Sequence, residues 1–282
     1  MDRIVIINTD SRYFTNVDYW NGKSDRHDAV IDLSKIKSLS YLFNFIISPA
    51  QQLNEIRKLC PDVRIIASNT RFFKEIESKD KHKNVRHLPR ITLESPINPD
   101  SIWTTKSKSD RIRIGKHSKG MDSKWNSDHL ELINRLNAKY PDKLVWDFMG
   151  ASREIKKQVE DIPNVILRPE FTIPVNVYLH NIDILLFFIS YKRQEPWARV
   201  VGEGAMAHTP IVATDVDGGN RMQVVHGNNG FLCKNVDEFE ESLSKLIEDK
   251  ELRDQLGANA GIYAQLFTTE SVIFKLMKFL GT

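Results

Sequence analysis

The chain has 282 residues, 41% of them hydrophobic and 27% charged, with a formal net charge of +3. That is room for two domains or one large one of ordinary globular composition, and the mild basicity gives no specific nucleic-acid signal; it suits anionic substrates or an anionic membrane surface equally. Two distant cysteines, Cys60 and Cys233, exclude a disulfide framework, and no stretch reaches the apolar length of a membrane span.

Taken in order, Arg3–Asn8 reads as a first parallel strand. A chain opening on a strand and not on a signal peptide sets the cytoplasm as the expected compartment. The next twenty residues carry a single glycine, Gly22, so the Gly-rich turn of a dinucleotide fold is missing. Asp28–Leu33 is a second short strand candidate, Ser40–Ile47 is apolar and ambiguous, and Gln51–Leu59 is helical. Val63–Ala67 is a clear strand, Ser68 and Asn69 cap a helix over about 70–79, and Asn84–Leu88 is a further strand. Between Pro89 and Asp110 three prolines among Ser, Thr and Lys residues read as a linker. The expected domains are therefore residues 1–108, with the linker at about 89–110, and residues 109–282.

The second half alternates strands and helices more regularly. Arg111–Gly115 is a strand followed by a Lys-, His- and Ser-rich loop, then a helix over about 127–140 and a strand over 143–149. Ser152–Asp161 is helical, Asn164–Leu167 is a strand, and Ile173–His180 is a short helix. The apolar run 182–189, the polar loop after it, a helix from Pro196 and the strand Pro210–Thr214 form one parallel α/β unit. A Gly-Gly turn, a short helix, a strand at Phe231–Leu232 and helices over 236–249, 250–267 and 269–280 complete the chain. Such a pattern predicts a doubly wound parallel sheet with its ligand at the carboxyl ends of the strands.

Three loops converge on those ends. The loop from Lys116 to Trp125 supplies Lys116, Lys119 and Lys124 ahead of a helix, which suits a diphosphate, although no P-loop pattern is present. Gly150 and the stretch Arg168–Phe171 lie where a base could rest against backbone. The third segment carries Glu195 just outside a helix start and Glu203 within the helix, with seven residues between. Free amides at the helix start can hold a phosphate, and an ionised carboxylate on either side accepts hydrogen bonds from hydroxyls. Diphosphate between two hydroxylated rings describes a nucleotide sugar. His117, His180, His208 and His226 read as structural or solvated, and no cluster of His and acidic residues has metal-ligand spacing, so neither cofactor nor metal is expected.

Over roughly residues 62–282 the chain resembles the group 1 glycosyltransferases, the large retaining class with a GT-B fold. The resemblance rests on Glu195 and Glu203 as a Glu-x7-Glu pair, then Glu203-Gly204-Ala205-Met206-Ala207, then Pro210-Ile211-Val212-Ala213-Thr214. The Gly-Gly turn, the Asn229–Leu232 turn and Ile114-Gly115-Lys116-His117-Ser118 are similar to the family's as well, with Lys116 standing where Arg is commoner. It implies an α/β architecture of two Rossmann-like domains facing each other across a crevice, the first unusually small, with the last helix packing back on the first. It also implies metal-independent transfer of a sugar, with retention, from a nucleotide sugar to a glycan, lipid-linked or other acceptor.

By that resemblance Glu195 holds donor-sugar hydroxyls, and the amides of Trp197, Ala198 and Arg199 take the distal phosphate. Glu203 holds the ribose, Gly115, Lys119 and Arg168 line the donor site, and Lys116 and Lys124 neutralise the leaving diphosphate. Glu195, Lys116 and Lys124 are the expected catalytic set, without a protein nucleophile. The first half departs from the family: its glycine-rich turn is absent and His27 lacks the motif of the family's donor-touching histidine. A second reading is therefore a non-catalytic or partner-dependent nucleotide-sugar-binding subunit, in which a second subunit or a peripheral membrane contact completes the acceptor side.

Overall fold

The computed structural model describes residues 4–8, 39–43, 64–67, 74, 78, 90–92, 97–102, 110–193 and 195–280. The chain divides into two compact units, one made of Met1–Glu94 with Ile273–Thr282, the other of Ser95–Val272.

In the first unit, β1 (Ile4–Asn8), β2 (Leu39–Phe43), β3 (Arg64–Ala67) and β4 (Arg90–Thr92) form a parallel sheet in that order. Ile4 pairs with Leu39, Tyr41 with Ile65 and Ile66 with Ile91. Residues 40–43 of the ambiguous stretch are thus strand, beginning one residue earlier, and its residues 44–47 lie outside the described residues. The strand expected at 28–33, the helix at 51–59 and the strand at 84–88 lie outside the described residues. So does most of the helix over 70–79, of which Lys74 and Ser78 are described and helical.

The described residues of the stretch expected as a linker are more structured than its prolines suggest. Residues 90–92 are β4, and Ile97 donates its N–H to the Phe267 carbonyl at 2.9 Å. Ile97 is buried, because a β-branched apolar side chain among prolines still gains by leaving water.

The second unit holds a six-stranded parallel sheet. It is built from β5 (Ile112–His117), β6 (Leu144–Met149), β7 (Val165–Arg168), β8 (Ile184–Phe187), β9 (Ile211–Thr214) and β10 (Gly230–Cys233). Their order is β10-β9-β8-β5-β6-β7. The chain starts in the middle at β5, winds outward through β6 and β7, then returns to β8 beside β5 and winds the other way. Connections leaving β5 and β8 therefore diverge, which makes their carboxyl ends the switch point where ligands bind in such sheets.

Both faces are covered, so the strands read as near-continuous apolar runs. On one face α1 (His129–Lys139), α2 (Arg153–Val159) and α6 (Val236–Glu248) bury Leu132, Ile155, Phe239 and Leu243 against Ile114, Trp146, Phe148 and Leu186. On the other, α3 (Val175–His180), α4 (Arg199–Met206) and α7 (Lys250–Ala264) pack Tyr178, Val201, Ala205 and Ala260 against Met149, Leu185, Phe187 and Ala213. A short α5 (Gly219–Gln223) follows β9, and α8 (Thr269–Leu280) crosses the division between the units. Caps explain the helix starts: Ser152 Oγ accepts from Ile155 N, Asn235 Oδ1 from Glu238 N, and Asp249 Oδ1 from Leu252 N.

Two of the boundaries that differ from the sequence reading matter for the site. Lys116 and His117 end β5 and do not begin a loop. The strand continues because each side chain finds a buried position, His117 edge-on to Tyr178 and Lys116 beside Trp125. The helix after Glu195 starts at Arg199 and not at Pro196, since residues 196–198 are occupied in a turn tied to α5.

Candidate functional site

The carboxyl ends of β5 and β8 bring together Lys116, Lys124, Arg193 and Glu195. Lys116 is completely buried, and its Nζ has no hydrogen-bond acceptor among the described residues. The ammonium instead lies 4.7 Å from the Trp125 ring centroid and 5.2 Å from that of Phe187. Burial drives its pKa well below the ordinary lysine value; Lys124 and Arg193 push the same way, and Glu195 opposes them.

Lys124 stands at the end of the short 3-10 turn Asp122–Lys124 and donates to Glu195 Oε2. Burial lowers its pKa as well, against the pull of Glu195. Glu195 is almost entirely buried and receives a second charged hydrogen bond, from Arg193 Nε to the same Oε2 at 3.0 Å. Arg193 Nη1 in turn donates to Ser123 Oγ at 2.6 Å, tying the loop after β8 to the turn after β5. Three basic side chains thus gather about one carboxylate, an excess of positive charge, and the Lys116 ammonium has no acceptor among the described residues.

Two buried histidines border this cluster and stay neutral. Burial takes His117 down to about 4 and His129 to about 3, with Lys116 adding to both shifts. His129 Nδ1 sits 2.6 Å from the Asn126 carbonyl, and its ring packs among Trp125, Phe148 and Phe188. These histidines add no charge beside Lys116.

Glu203 lies on α4 and is 12% exposed at its side chain. Arg199, one turn earlier and largely exposed, donates from Nε to its Oε1 at 2.8 Å. Burial raises the Glu203 pKa, partly offset by that Arg199 partner.

Other expected donor residues have different neighbours. Gly115 serves the close approach of α3: a Cβ there would collide with Ile182 and come 2.9 Å from the Tyr178 hydroxyl. Arg168 is committed to Asp147, from Nε at 2.8 Å and Nη2 at 3.1 Å, while Arg113 Nη1 holds the same carboxylate at 2.8 Å. That bidentate pair raises the Arg168 pKa. The amide of Ala198 already donates to Gln223 Oε1 at 3.2 Å, and Gln223 Nε2 returns a bond to the Ala198 carbonyl at 3.0 Å. The Trp197 ring packs edge-on against Phe267. Lys119 is exposed, and its carbonyl accepts from Trp125 Nε1 at 3.3 Å. In the stretch expected beside a base, Glu170 Oε1 accepts the Gly120 N–H at 2.5 Å, and Phe171 is 82% exposed with φ 58°.

Arg193, Ser123 and Gln223 were not foreseen from the sequence. Among the described residues no group of three or more His, Cys, Asp and Glu side chains could hold a metal ion. No helix of the described residues is long and apolar enough to cross a membrane.

A four-stranded parallel sheet in one unit and a doubly wound six-stranded parallel sheet in the other, with basic side chains and a carboxylate at the switch point of the second, fit the GT-B fold. Residues 156–261 match the family model described as glycosyl transferases group 1. An uncharacterized glycosyltransferase of Methanocaldococcus jannaschii is 31% identical over 94 residues, 33% of this chain and 26% of that protein. The trehalose synthase of Thermococcus litoralis is 31% identical over 86 residues, 30% of this chain and 20% of that protein. The matched stretch is thus a minor part of each relative's length. Among solved structures, HepE of Anabaena in complex with UDP and glucose superposes with a TM-score of 0.67 at 19% identity, covering 87% of this chain and 72% of that one. A TarM variant of S. aureus in complex with fondaparinux, alpha-GlcNAc-glycerol and UDP gives 0.69 at 16% identity, covering 87% and 51%. The chain carries the GT-B fold, and its residues 156–261 are similar to the group 1 glycosyl transferases.

Proposed function

We propose that the chain binds a nucleotide-diphosphate sugar at the carboxyl ends of β5 and β8 and transfers the glycosyl group, with retention, to a hydroxyl of a glycan or lipid-linked acceptor. The observation that carries this reading is the Lys116 ammonium, fully buried without an acceptor among the described residues and beside Lys124 and Arg193. A buried polar group left unbonded costs free energy, so its presence at a switch point is best explained by an anion that completes it. Solved structures with the same fold were obtained with UDP and glucose, and with UDP and alpha-GlcNAc-glycerol, which supports a nucleotide sugar as that ligand.

In this reading the bond between the sugar's anomeric carbon and the distal phosphate oxygen breaks, and the diphosphate leaves with the electron pair. Lys116 and Lys124 stabilise the charge that develops on it. The acceptor hydroxyl attacks the same face and passes its proton to the departing phosphate oxygen, so no side chain forms a covalent intermediate and no metal is assigned. Glu195 accepts hydrogen bonds from donor-sugar hydroxyls, and Glu203 from the ribose.

The test is turnover of a panel of labelled UDP-, GDP-, ADP- and dTDP-sugars by the purified chain, with and without glycan and polyprenyl-phosphate acceptors. Release of free nucleotide from one base class, lost in Lys116→Met, is the expected result. Binding without release would favour the non-catalytic subunit reading, and neither binding nor release would refute both.

A further inference from the structure

One oxygen of Glu195 serves two cations. Lys124 Nζ and Arg193 Nε both donate to Oε2, and Glu195 is only 5% exposed. The two cations are fixed differently. Arg193 is held at both ends of its guanidinium, by Glu195 and by Ser123 Oγ at 2.6 Å. The Lys124 ammonium has Glu195 as its acceptor among the described residues, at the end of a flexible four-carbon stem.

A diphosphate arriving beside Lys116 competes with Glu195 for Lys124. If Lys124 were the sole partner of Glu195, its departure would strand a buried carboxylate, which costs more than forming the pair gains. Arg193 is already bonded to the same oxygen and stays with it. We propose that Arg193 is a positioning residue that keeps Glu195 paired while Lys124 transfers its hydrogen bond from Glu195 to the donor diphosphate. The inference rests on the nucleotide-sugar reading above and adds the step by which the ligand-free site, closed on itself through Lys124 and Glu195, opens to its anion.

Without Arg193, Glu195 retains Lys124 and the diphosphate subsite is short of one cation. The defect is then curable by removing the charge on Glu195, because a neutral amide needs no counter-ion. A guanidinium acting directly on the phosphates would behave otherwise, since neutralising Glu195 could not replace it.

Calorimetric titration of the full chain with UDP, GDP, ADP and inorganic pyrophosphate separates these cases. UDP and its analogues lack the sugar, so the hydroxyl-binding role of Glu195 is not read. Arg193→Ala is expected to weaken binding roughly tenfold to a hundredfold, the loss typical of one charge-assisted hydrogen bond. Glu195→Gln is expected to bind at least as tightly as the wild type, and the double variant Arg193→Ala/Glu195→Gln to recover to within about twofold of Glu195→Gln alone. If Arg193→Ala does not fold, Arg193→Gln carries the same cycle. Undiminished binding by the single Arg193 variant, or a double variant as weak as the single, overturns the proposal and leaves the nucleotide-sugar reading standing. A wild-type chain that binds none of the four probes overturns that reading itself.

Discussion

Lys116→Met should make the ligand-free protein more stable while removing its ligand. Methionine fills a similar volume between Trp125 and Phe187 and brings no charge into a site closed to water. The lysine loses about 1–3 kcal/mol to an unbonded buried polar group. Its contact with two aromatic rings returns at most about 1–2 kcal/mol of that. The substitution should therefore gain on the order of 1 kcal/mol, which raises Tm by roughly 2–4 °C for a domain of this size. The pH dependence has a definite sign. Because burial lowers the Lys116 pKa, the unfolded chain binds more protons than the folded one between that lowered value and the ordinary one. Wild-type stability therefore climbs toward that of Lys116→Met as pH rises, and the gap closes near about 10.4, where the unfolded lysine also loses its proton. Differential scanning fluorimetry from pH 6 to 10 measures this, and a titration with UDP should show the wild type stabilised and the variant not. A variant less stable than wild type at neutral pH, or one that binds UDP equally well, would refute the reasoning.

Other substitutions separate the site from its frame. Arg168→Ala should cost stability, because Asp147 is buried and would keep Arg113 alone, by about 1–3 kcal/mol for a lost charged hydrogen bond; chemical denaturation would show it, and UDP affinity should be unchanged. Gly115→Ala should destabilise by about 1–3 kcal/mol through overpacking against Ile182 and Tyr178, and a neutral result would contradict the packing role. Glu203→Ala should weaken UDP roughly tenfold or more while leaving pyrophosphate affinity intact, if the carboxylate serves the ribose as proposed. Burial raises the Glu203 pKa, so nucleoside affinity should fall as pH drops through a value above the ordinary carboxylate range; calorimetry of UDP at stepped pH reads this, and a flat profile down to pH 4 would contradict it.

Most of the second sheet was legible because its signals are local. The apolar run 182–189 contains β8, Pro210–Thr214 contains β9, and the Glu195 to Glu203 segment lies between them as expected. Lys116 was misplaced because a Lys-His-Ser run reads as solvated. What keeps it in the strand is an aromatic wall whose members, Trp125 and Phe187, are distant in sequence. Arg168 looked available at a strand end, and only the pairing of β6 with β7 reveals that Asp147 claims it. Arg193 was missed for the same reason. Inside a polar Tyr-Lys-Arg-Gln loop nothing distinguishes it, and its partner Ser123 lies 70 positions away. The helix after Glu195 starts late because Gln223 engages Ala198 on both its N–H and its carbonyl, a contact no local propensity encodes.

The central claim is that the buried ammonium of Lys116, without an acceptor among the described residues, marks a nucleotide-sugar site. Thermal unfolding of the purified chain with UDP-, GDP-, ADP- and dTDP-sugars tests it most directly, because a ligand that binds only the folded state raises the midpoint by mass action. At about a hundredfold excess over Kd one base class should add roughly 2.7 kcal/mol, several degrees in Tm. That shift should vanish in Lys116→Met. An unchanged midpoint across the whole panel, or an equal shift in the variant, would contradict the account.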